Sequence, residues 1–324
     1  MTAAAPLTHR ARANLLLGVC AALWGFGFVA QSFGSEHMGA FSFNAVRFAV
    51  GGASLLPLIA VLDGRASRPS AERRRQWRAS VVPGLLCGLL LFAGSTLQQF
   101  AMETTTAGNA AFVTGLYMVL VPAIGIALGH RTNANTWLGI AAAVVGLYLL
   151  TVRGDFTMVV GDLLCLIGTV FWAVHILSIG HFSRQVDPMR LSVAQFLACA
   201  LYSLLFAAAT ERAPFAGLAD ALGAVAFAGL VAVGIGYTLQ VLGQRDAKAS
   251  HAAMIMSLES LFGAIGGALF LGEQLTVRGY LGAALMMGGI LLAQWTPSAS
   301  GDAETPIVPV PEPPSTVFDT LDGR

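Results

Sequence analysis

The sequence contains ten long, predominantly apolar stretches separated by short polar breaks. A helix needs about 20 such residues to cross the roughly 30 Å hydrocarbon core of a bilayer. Backbone groups in lipid must be hydrogen-bonded internally, and the stretches lack the alternating polarity of barrel strands. The pattern therefore predicts an all-α integral membrane protein with ten transmembrane helices. The predicted spans are 13–33, 40–62, 80–102, 107–129, 135–152, 160–180, 190–209, 219–242, 250–271 and 277–296.

The composition agrees with a chain that lies in a lipid bilayer. Charged residues make up only 11% of it, against about a quarter in soluble domains. The net charge of +1 offers no basic surface for nucleic acid. The four cysteines lie in apolar stretches without a C-x-x-C pair, which argues against a zinc site or a disulfide framework. We expect no cofactor, and the sequence leaves the oligomeric state open.

The basic residues predict the orientation. If the N-terminus is cytoplasmic, 13 of the 18 basic residues lie on the cytoplasmic side and three lie opposite, at Arg153, Arg212 and Arg278. The positive-inside rule then makes both terminal segments, 1–12 and 297–324, cytoplasmic. The tail 297–324 is rich in proline and acidic residues, which predicts disorder. The cytoplasmic set, with six arginines in the loop after the second span, is Arg10, Arg12, Arg65, Arg68, Arg73, Arg74, Arg75, Arg78, Arg131, Arg184, Arg190, Arg245 and Lys248.

The two halves of the chain resemble each other. Two blocks of the first half return in similar form 142 residues later, and two residue pairs have counterparts in the sixth and seventh spans. Five spans per half is an odd number, so the second half must enter the membrane from the opposite side. We therefore predict two inverted five-helix repeats, 13–152 and 153–296, an architecture in which substrate binds near the repeat interface. The matches are Thr96-Leu97-Gln98 with Thr238-Leu239-Gln240, 107–111 with 249–253, Arg47-Phe48 with Gln195-Phe196, and Trp24-Gly25 with Trp172-Ala173.

Several short motifs follow one another along the chain in a familiar order. They are Trp24-Gly25, Arg47-Phe48, the segment 105–122 with Asn109-Ala110 and Pro122, and Leu258-Glu259 continuing to Leu271-Gly272-Glu273. Through them the chain resembles the EamA-type branch of the drug/metabolite transporter superfamily over about residues 13–296. One departure is Ser260, where members often carry proline after a glutamate. The resemblance implies a ten-helix transporter, typically an exporter of amino acids, other metabolites or drugs, and we expect it in the bacterial inner membrane.

Two ionisable side chains lie within predicted spans, Glu259 in the ninth and Arg47 in the second. Such groups are costly in lipid and by default indicate a functional site. Glu259 could exchange a proton or bind a substrate amine, or be a buried carboxylate bonded to neighbouring hydroxyls. Arg47 could bind a substrate carboxylate, pair with Glu259 or a helix C-terminus, or extend to the membrane interface.

Further candidates for the substrate site are polar or aromatic. Gln98 and Gln240 are repeat-related amides that could bind a neutral polar substrate or join two helices. His175 could titrate as a second group or be a hydrogen-bonded core histidine. The aromatic candidates for cavity walls, each of which could equally be ordinary packing, are Trp24, Tyr117, Trp172 and Tyr237.

These features predict a secondary transporter that exports small molecules by alternating access, driven by a proton gradient or by the substrate gradient. No Walker A motif occurs, and Lys248 is the only lysine, so ATP is not expected to drive transport. One alternative is an intramembrane lipid-modifying enzyme, although no H-E-x-x-H or G-x-S-x-G motif supports an enzyme. The other is a channel, although no pore-loop filter or charged ring is visible.

Overall fold

The computed structural model describes residues 9–130, 132–152, 159–270 and 276–294. These residues form helices and turns without a strand. The predicted disordered tail 297–324 lies outside them, as do residues 1–8, Arg131, Arg153 and Leu271-Gly272-Glu273. The elements are α1 (His9–His37), α2 (Ala40–Arg65), α3 (Ser70–Ala101), α4 (Ala107–Gly115), α5 (Tyr117–Ala127), α6 (Ala134–Thr151), α7 (Val160–Phe182), α8 (Pro188–Thr210), α9 (Leu222–Ala226), a π-helix (Phe227–Tyr237), α10 (Thr238–Asp246), α11 (Ala249–Met256), α12 (Glu259–Phe270) and α13 (Val277–Gln294).

Within the described residues, eight helical stretches are long and apolar enough to cross a membrane. Two further apolar helices, Ala134–Leu150 and Val277–Ala293, are shorter. Each of these coincides with a predicted span. The all-helical membrane fold is therefore confirmed, while ten crossings in two inverted repeats stay a prediction.

Large apolar side chains cover the outside of the helices. Val82, Leu85 and Leu89 follow one another along α3 and are 63%, 42% and 51% exposed, and Leu201 and Leu205 of α8 are 50% and 59% exposed. Contiguous apolar surface of this kind is unfavourable in water and marks contact with a membrane or a partner. Together with the length of the helices, it indicates contact with lipid.

The helices pack as two groups and one separate pair. In the first group, hereafter the α1 group, α1 and α2 pack against the π-helix, and α1 also packs against α10, α11 and α12. In the second, the α3 group, α3 packs against α7 and α8, and α7 packs against α4 and α5. The two groups meet along α2 and α8 and where α12 contacts α4. The helices α6 and α13 form the separate pair.

Glycines bring α6 and α13 into close contact. A methyl group added at Gly146 would lie 2.6 Å from the carbonyl oxygen of Gly282, and one added at Gly282 would lie 2.5 Å from that of Gly146. A methyl group added at Gly139 would likewise lie 2.4 Å from the carbonyl oxygen of Gly289, and one added at Gly289 would lie 2.5 Å from that of Gly139. Small residues permit such close packing in lipid, where no hydrophobic drive pushes helices together.

The fourth and ninth spans, predicted as continuous helices, are both interrupted. Leu116 N–H donates to the Val113 carbonyl at 3.2 Å, and Leu258 N–H to the Ile255 carbonyl at 3.1 Å. These are the tighter i→i−3 bonds of a 3₁₀ turn. Leu116 and Leu258 are 142 residues apart, the offset of the repeat in this region. The ninth span is thus interrupted without a proline at Ser260.

The third span differs from the prediction at its N-terminal end. Helix α3 begins at Ser70, so Arg73, Arg74, Arg75 and Arg78 lie in its first turns and not in a loop. The segment 70–82 contains no glycine or proline and is rich in good helix formers. The helix therefore extends beyond its apolar stretch.

The eighth span contains a π-helix, Phe227–Tyr237, which the sequence did not predict. Its i→i+5 bonding widens the helix, and π segments occur frequently at functional sites. The segment ends at Tyr237, whose ring faces the cavity described below.

Candidate substrate site

A small cavity of about 40 Å³ lies between the α1 group and the α3 group. Eight of the nine predicted candidate residues line it, and His175 is the exception. The α1 group contributes Trp24, Gly27, Phe28, Gln31, Arg47, Ala232, Val233, Tyr237, Gln240 and Glu259, and the α3 group contributes Gln98, Thr114, Tyr117, Trp172 and Ile176.

Glu259 lies at the interruption of the ninth span. It is the first residue of α12, where the helix dipole favours a negative charge. The residue is 4% exposed, and its Oε1 has no hydrogen-bond partner in the described part of the chain. The hydroxyl of Tyr117, the first residue of α5, lies beside this carboxylate without the geometry of a hydrogen bond. The two repeat-related interruptions therefore place the Glu259 carboxylate beside the Tyr117 hydroxyl. Among the described residues, both groups keep atoms that are free to form hydrogen bonds.

Arg47 is buried in α2 and is 5% exposed. Its guanidinium carbon lies 5.3 Å from the centre of the Phe43 ring and 5.0 Å from that of Phe48, within the range of cation–π contacts. Its Nε has no hydrogen-bond partner among the residues that the structure describes. Among the described residues, no carboxylate lies within ion-pair distance of it, Glu259 included. The arginine is thus inside the protein, and it is not the counter-ion of Glu259.

The two repeat-related glutamines differ in their surroundings. The Gln98 amide nitrogen donates to Oε1 of Gln31 at 3.0 Å, so this side chain joins α3 to α1. Gln240 is completely buried, and neither its amide nitrogen nor its amide oxygen has a partner in the described residues. A buried amide without partners is unfavourable unless a ligand or water completes it. Gln240 is therefore the stronger candidate for contact with a polar substrate.

Aromatic rings form one wall of the cavity around Tyr237. The Tyr237 ring lies 4.4 Å from Trp24 and 6.2 Å from Trp172, centre to centre. The Trp24 indole N–H donates to the Ala232 carbonyl in the π-helix at 3.1 Å. The Trp172 indole N–H has no partner in the described structure. An aromatic wall with a spare donor suits a cargo that carries apolar and polar parts.

His175 lies behind this wall and not in the cavity. Its ring contacts Trp172 and Tyr237 edge-on at 6.0 and 6.3 Å. Its Nε2 is 2.9 Å from the amide oxygen of Gln195, the repeat counterpart of Arg47. His175 is therefore placed to support the aromatic wall from behind.

Gly25 allows α1 to approach the start of α12. A methyl group added there would lie 2.6 Å from the carbonyl oxygen of Glu259 and 2.7 Å from the backbone nitrogen of Gly263. Only glycine leaves room for this backbone contact. Gly25 thus helps to set the position of Glu259.

Gln31 and Thr114 line the cavity but were not among the predicted site residues. Both are buried polar residues, at 6% and 3% exposed. The only available signal was polarity inside an apolar span, which many serines and threonines of this chain share.

In the described residues, no group of three or more His, Cys, Asp or Glu side chains is arranged to hold a metal ion. All four cysteines are buried free thiols.

The fold and site define a class: a multi-pass membrane protein whose helix groups enclose a small cavity lined by polar and aromatic side chains, as in a membrane transporter. The chain belongs to the EamA-like transporter family, because the family profile matches residues 12–152 and again 159–295. This family is part of the drug/metabolite transporter superfamily. The predicted resemblance is confirmed, and the family points to a transporter, which is not an enzyme.

One individual relative agrees with this assignment, and one solved structure has a similar fold. The chain is 29% identical over 284 residues to an uncharacterized transporter from Archaeoglobus fulgidus, covering 87% of this chain and 86% of the relative. It also superposes on a protein of known crystal structure with a TM-score of 0.69 at 21% identity, covering 88% of this chain and 97% of that one. The structural likeness concerns the fold alone.

Proposed function

We propose that this chain is a secondary transporter that exports small metabolites, namely amino acids or related compounds, or drugs by alternating access, with Glu259 as the proton-coupling group. The observation that carries the proposal is that Glu259 and Arg47 line one cavity between two helix groups without pairing with each other. Unpaired ionisable groups in a membrane interior are costly. A function that uses them is the simplest reason for their presence.

We further propose that the two halves are inverted repeats with five crossings each. The contacts between α6 and α13 support a two-fold relation. Gly139 and Gly282 are 143 residues apart, as are Gly146 and Gly289. Gly139 contacts Gly289, and Gly146 contacts Gly282, so each glycine meets the counterpart of the other. That reciprocal pattern is what a two-fold axis produces.

The orientation and location are part of the same proposal. Both termini face the cytoplasm of a bacterial cell, and the chain spans the inner membrane. The support is the excess of basic residues on one side of the predicted spans. Arg73, Arg74, Arg75 and Arg78 still flank the membrane on that side although they are helical.

The site favours a cargo with an amine and a carboxylate. A substrate ammonium group complements Glu259, and a substrate carboxylate complements the guanidinium of Arg47. The Gln240 amide and the ring of Tyr237 offer polar and apolar contacts to the remainder. Cationic drugs, which would pair with Glu259 but not with Arg47, are the second class of cargo.

The size of the cavity supports a change of shape during transport. At about 40 Å³ it has room for only a few water molecules, whereas sites for drug-sized molecules measure roughly 300–1,000 Å³. A substrate can therefore enter only when the α1 group and the α3 group separate on one side. Alternating access provides such a motion.

Reconstitution into proteoliposomes tests the proposal. Vesicles loaded with unlabelled amino acid are diluted into radiolabelled amino acid, and counterflow is measured with and without a proton gradient. We expect saturable counterflow, acceleration by the gradient, and release of chemically unchanged substrate. A parallel assay uses labelled cationic drugs.

Three outcomes contradict the proposal. Flux that does not saturate and shows no counterflow indicates a channel. Chemically altered product indicates an enzyme. Movement of amino acids and cationic drugs at the rate of protein-free vesicles removes the proposed cargo classes.

A further inference from the structure

A buried ionic contact joins α2 to α8 at one end of the helix pair. Arg190, in the first turn of α8, donates from Nη2 to both carboxylate oxygens of Asp63, at 2.7 and 2.6 Å. Arg68 and Asp187 complete the cluster, at 3.3 Å from Asp63 and from Arg190 respectively. Arg190 is 1% and Asp63 5% exposed. We call the contact between Asp63 and Arg190 the Asp63 clamp.

A second acid joins the same two helices at their other end. Glu211 follows the last residue of α8, and its Oε1 accepts hydrogen bonds from the backbone N–H groups of Phe41 and Ser42, at 3.0 and 3.2 Å. Its Oε2 accepts a hydrogen bond from the Ser42 hydroxyl. The carboxylate thus caps the N-terminus of α2, where the helix dipole favours it. We call this contact the Glu211 clamp.

The repeat relates the two clamps to each other. Asp63 and Glu211 are 148 residues apart, and so are Ser42 and Arg190. This is also the offset between Trp24 and Trp172. In each clamp, an acid near the C-terminal end of one helix binds a residue near the N-terminal end of its counterpart. The clamps are therefore one contact made twice, at opposite ends of the pair.

The clamps also connect the two helix groups that enclose the cavity. Helix α2 belongs to the α1 group and α8 to the α3 group. Ser42 and Asp63 are 21 residues apart along α2, which corresponds to about 30 Å of helix and to the thickness of the hydrocarbon core. Each clamp thus holds the two groups together near one membrane face, with the cavity between them.

We propose that the Asp63 clamp and the Glu211 clamp are the two gates of the transport cycle, and that each breaks when the cavity opens toward its own face. This inference rests on the proposed function, because it assumes alternating access. In this structure both clamps are formed and the cavity is too small for substrate. These two features are expected of a closed intermediate of the transport cycle. The residues act on substrate only through the helices that they hold.

The difference in chemistry between the two clamps determines toward which membrane face the cavity opens more readily. The Asp63 clamp is buried and ionic. Breaking it removes the closest charge-assisted hydrogen bonds of both groups, so that buried Asp63 keeps only Arg68 and buried Arg190 keeps only Asp187. Glu211 is partly exposed and bonds to neutral donors, so that water can replace its partners on opening. The cavity of the native protein therefore opens more readily toward the Glu211 face.

Side-specific labelling of one cysteine tests the gates. Thr114 of the cavity is replaced by cysteine after the four native cysteines have been changed to alanine. A membrane-impermeant thiol reagent is then applied to right-side-out and to inside-out membrane vesicles. We expect Asp63→Asn to raise the ratio of labelling from the Asp63 face to labelling from the Glu211 face by about tenfold, within the range of conformational coupling. Glu211→Gln should shift the ratio in the opposite direction.

Exposed acids provide the matched controls. Asp246→Asn and Glu103→Gln change exposed acids that form no part of either clamp, and they should leave the ratio unchanged. Each variant is first checked for a monodisperse elution profile. If Asp63→Asn does not fold, Ser42→Ala and Glu211→Gln test the Glu211 clamp alone.

The labelling needs no substrate, so this test and the flux assay fail independently. Opposite shifts without flux of any tested cargo retain the gates and remove the proposed cargo. Flux with an unchanged labelling ratio in both clamp variants overturns the gates and retains the transporter. A shift in the same direction for both variants also overturns them, because it indicates general loosening of the helices.

Discussion

Asp63 and Arg190, 127 residues apart in the chain, form a buried contact in which one guanidinium nitrogen donates to both carboxylate oxygens. The pair joins the two halves of the protein at a point far from the cavity. In most proteins such a contact is a doubtful source of stability, because burying two charges offsets much of their attraction. Its value here is better understood as specificity for one closed arrangement of two helices.

The first prediction concerns the stability of this pair. Arg190→Met should lower the free energy of unfolding by about 3–5 kcal/mol, because Asp63 would remain buried without its main partner. The double variant Asp63→Leu/Arg190→Met should recover most of that loss. Thermal unfolding in detergent measures the stability of the single and the double variant. A double variant that is less stable than the single one would contradict the argument.

The second prediction concerns Glu259. Glu259→Gln keeps the size and polarity of the side chain but removes its ability to exchange a proton. We expect transport driven by a pH gradient to fall at least about tenfold, because the amide cannot exchange a proton. Counterflow should weaken less, through loss of the charge that complements the substrate ammonium group, and should no longer respond to the gradient. Proteoliposome flux under both conditions measures the difference, with Glu103→Gln as the exposed-acid control. Normal gradient-driven transport in the variant would remove the coupling role.

The third prediction concerns Arg47. Arg47→Gln should raise the KM for amino acids by about 10- to 100-fold, because a charge-assisted hydrogen bond contributes roughly 1.5–3 kcal/mol. Amines that lack a carboxylate should be affected much less. Competition assays that compare each amino acid with the corresponding amine lacking the carboxylate measure the difference in affinity. Arg78→Gln, which changes an exposed arginine, is the control. An equal rise in KM for substrates with and without the carboxylate would show that Arg47 has a packing role only.

The fourth prediction compares two glycines of α1. Gly25→Ala should destabilise the protein by about 1–3 kcal/mol through overpacking and should reduce transport, since the new methyl displaces the backbone at Glu259. Gly18→Ala is the matched control, because nothing lies within 4 Å of the added methyl. Thermal unfolding and flux are measured for both. Similar behaviour of the two variants would show that the contact at Gly25 is not needed.

Much of the site could be predicted from the sequence because polar groups are rare in membrane spans. Glu259, Arg47, Gln98 and Gln240 stood out mainly for that reason, and all four line the cavity. His175 stood out equally, yet it lies behind the aromatic wall. Polarity thus indicates that a side chain faces the interior, but it does not distinguish the cavity from the layer behind it.

The sequence by itself determined the positions of the helices, since the crossing of each segment depends on its own length and apolar content. It also determined the family, through local motifs and their spacing. Only the tertiary structure decided which polar groups remain without partners. The Gln98 amide nitrogen donates to Gln31, whereas the amide of its repeat counterpart Gln240 has no partner in the described part of the chain. The interruptions of the spans at Leu116 and Leu258 and the clamps between α2 and α8 likewise required the structure. The physical reason is that insertion into lipid is a local property of one segment, while pairing depends on residues brought together from distant parts of the chain.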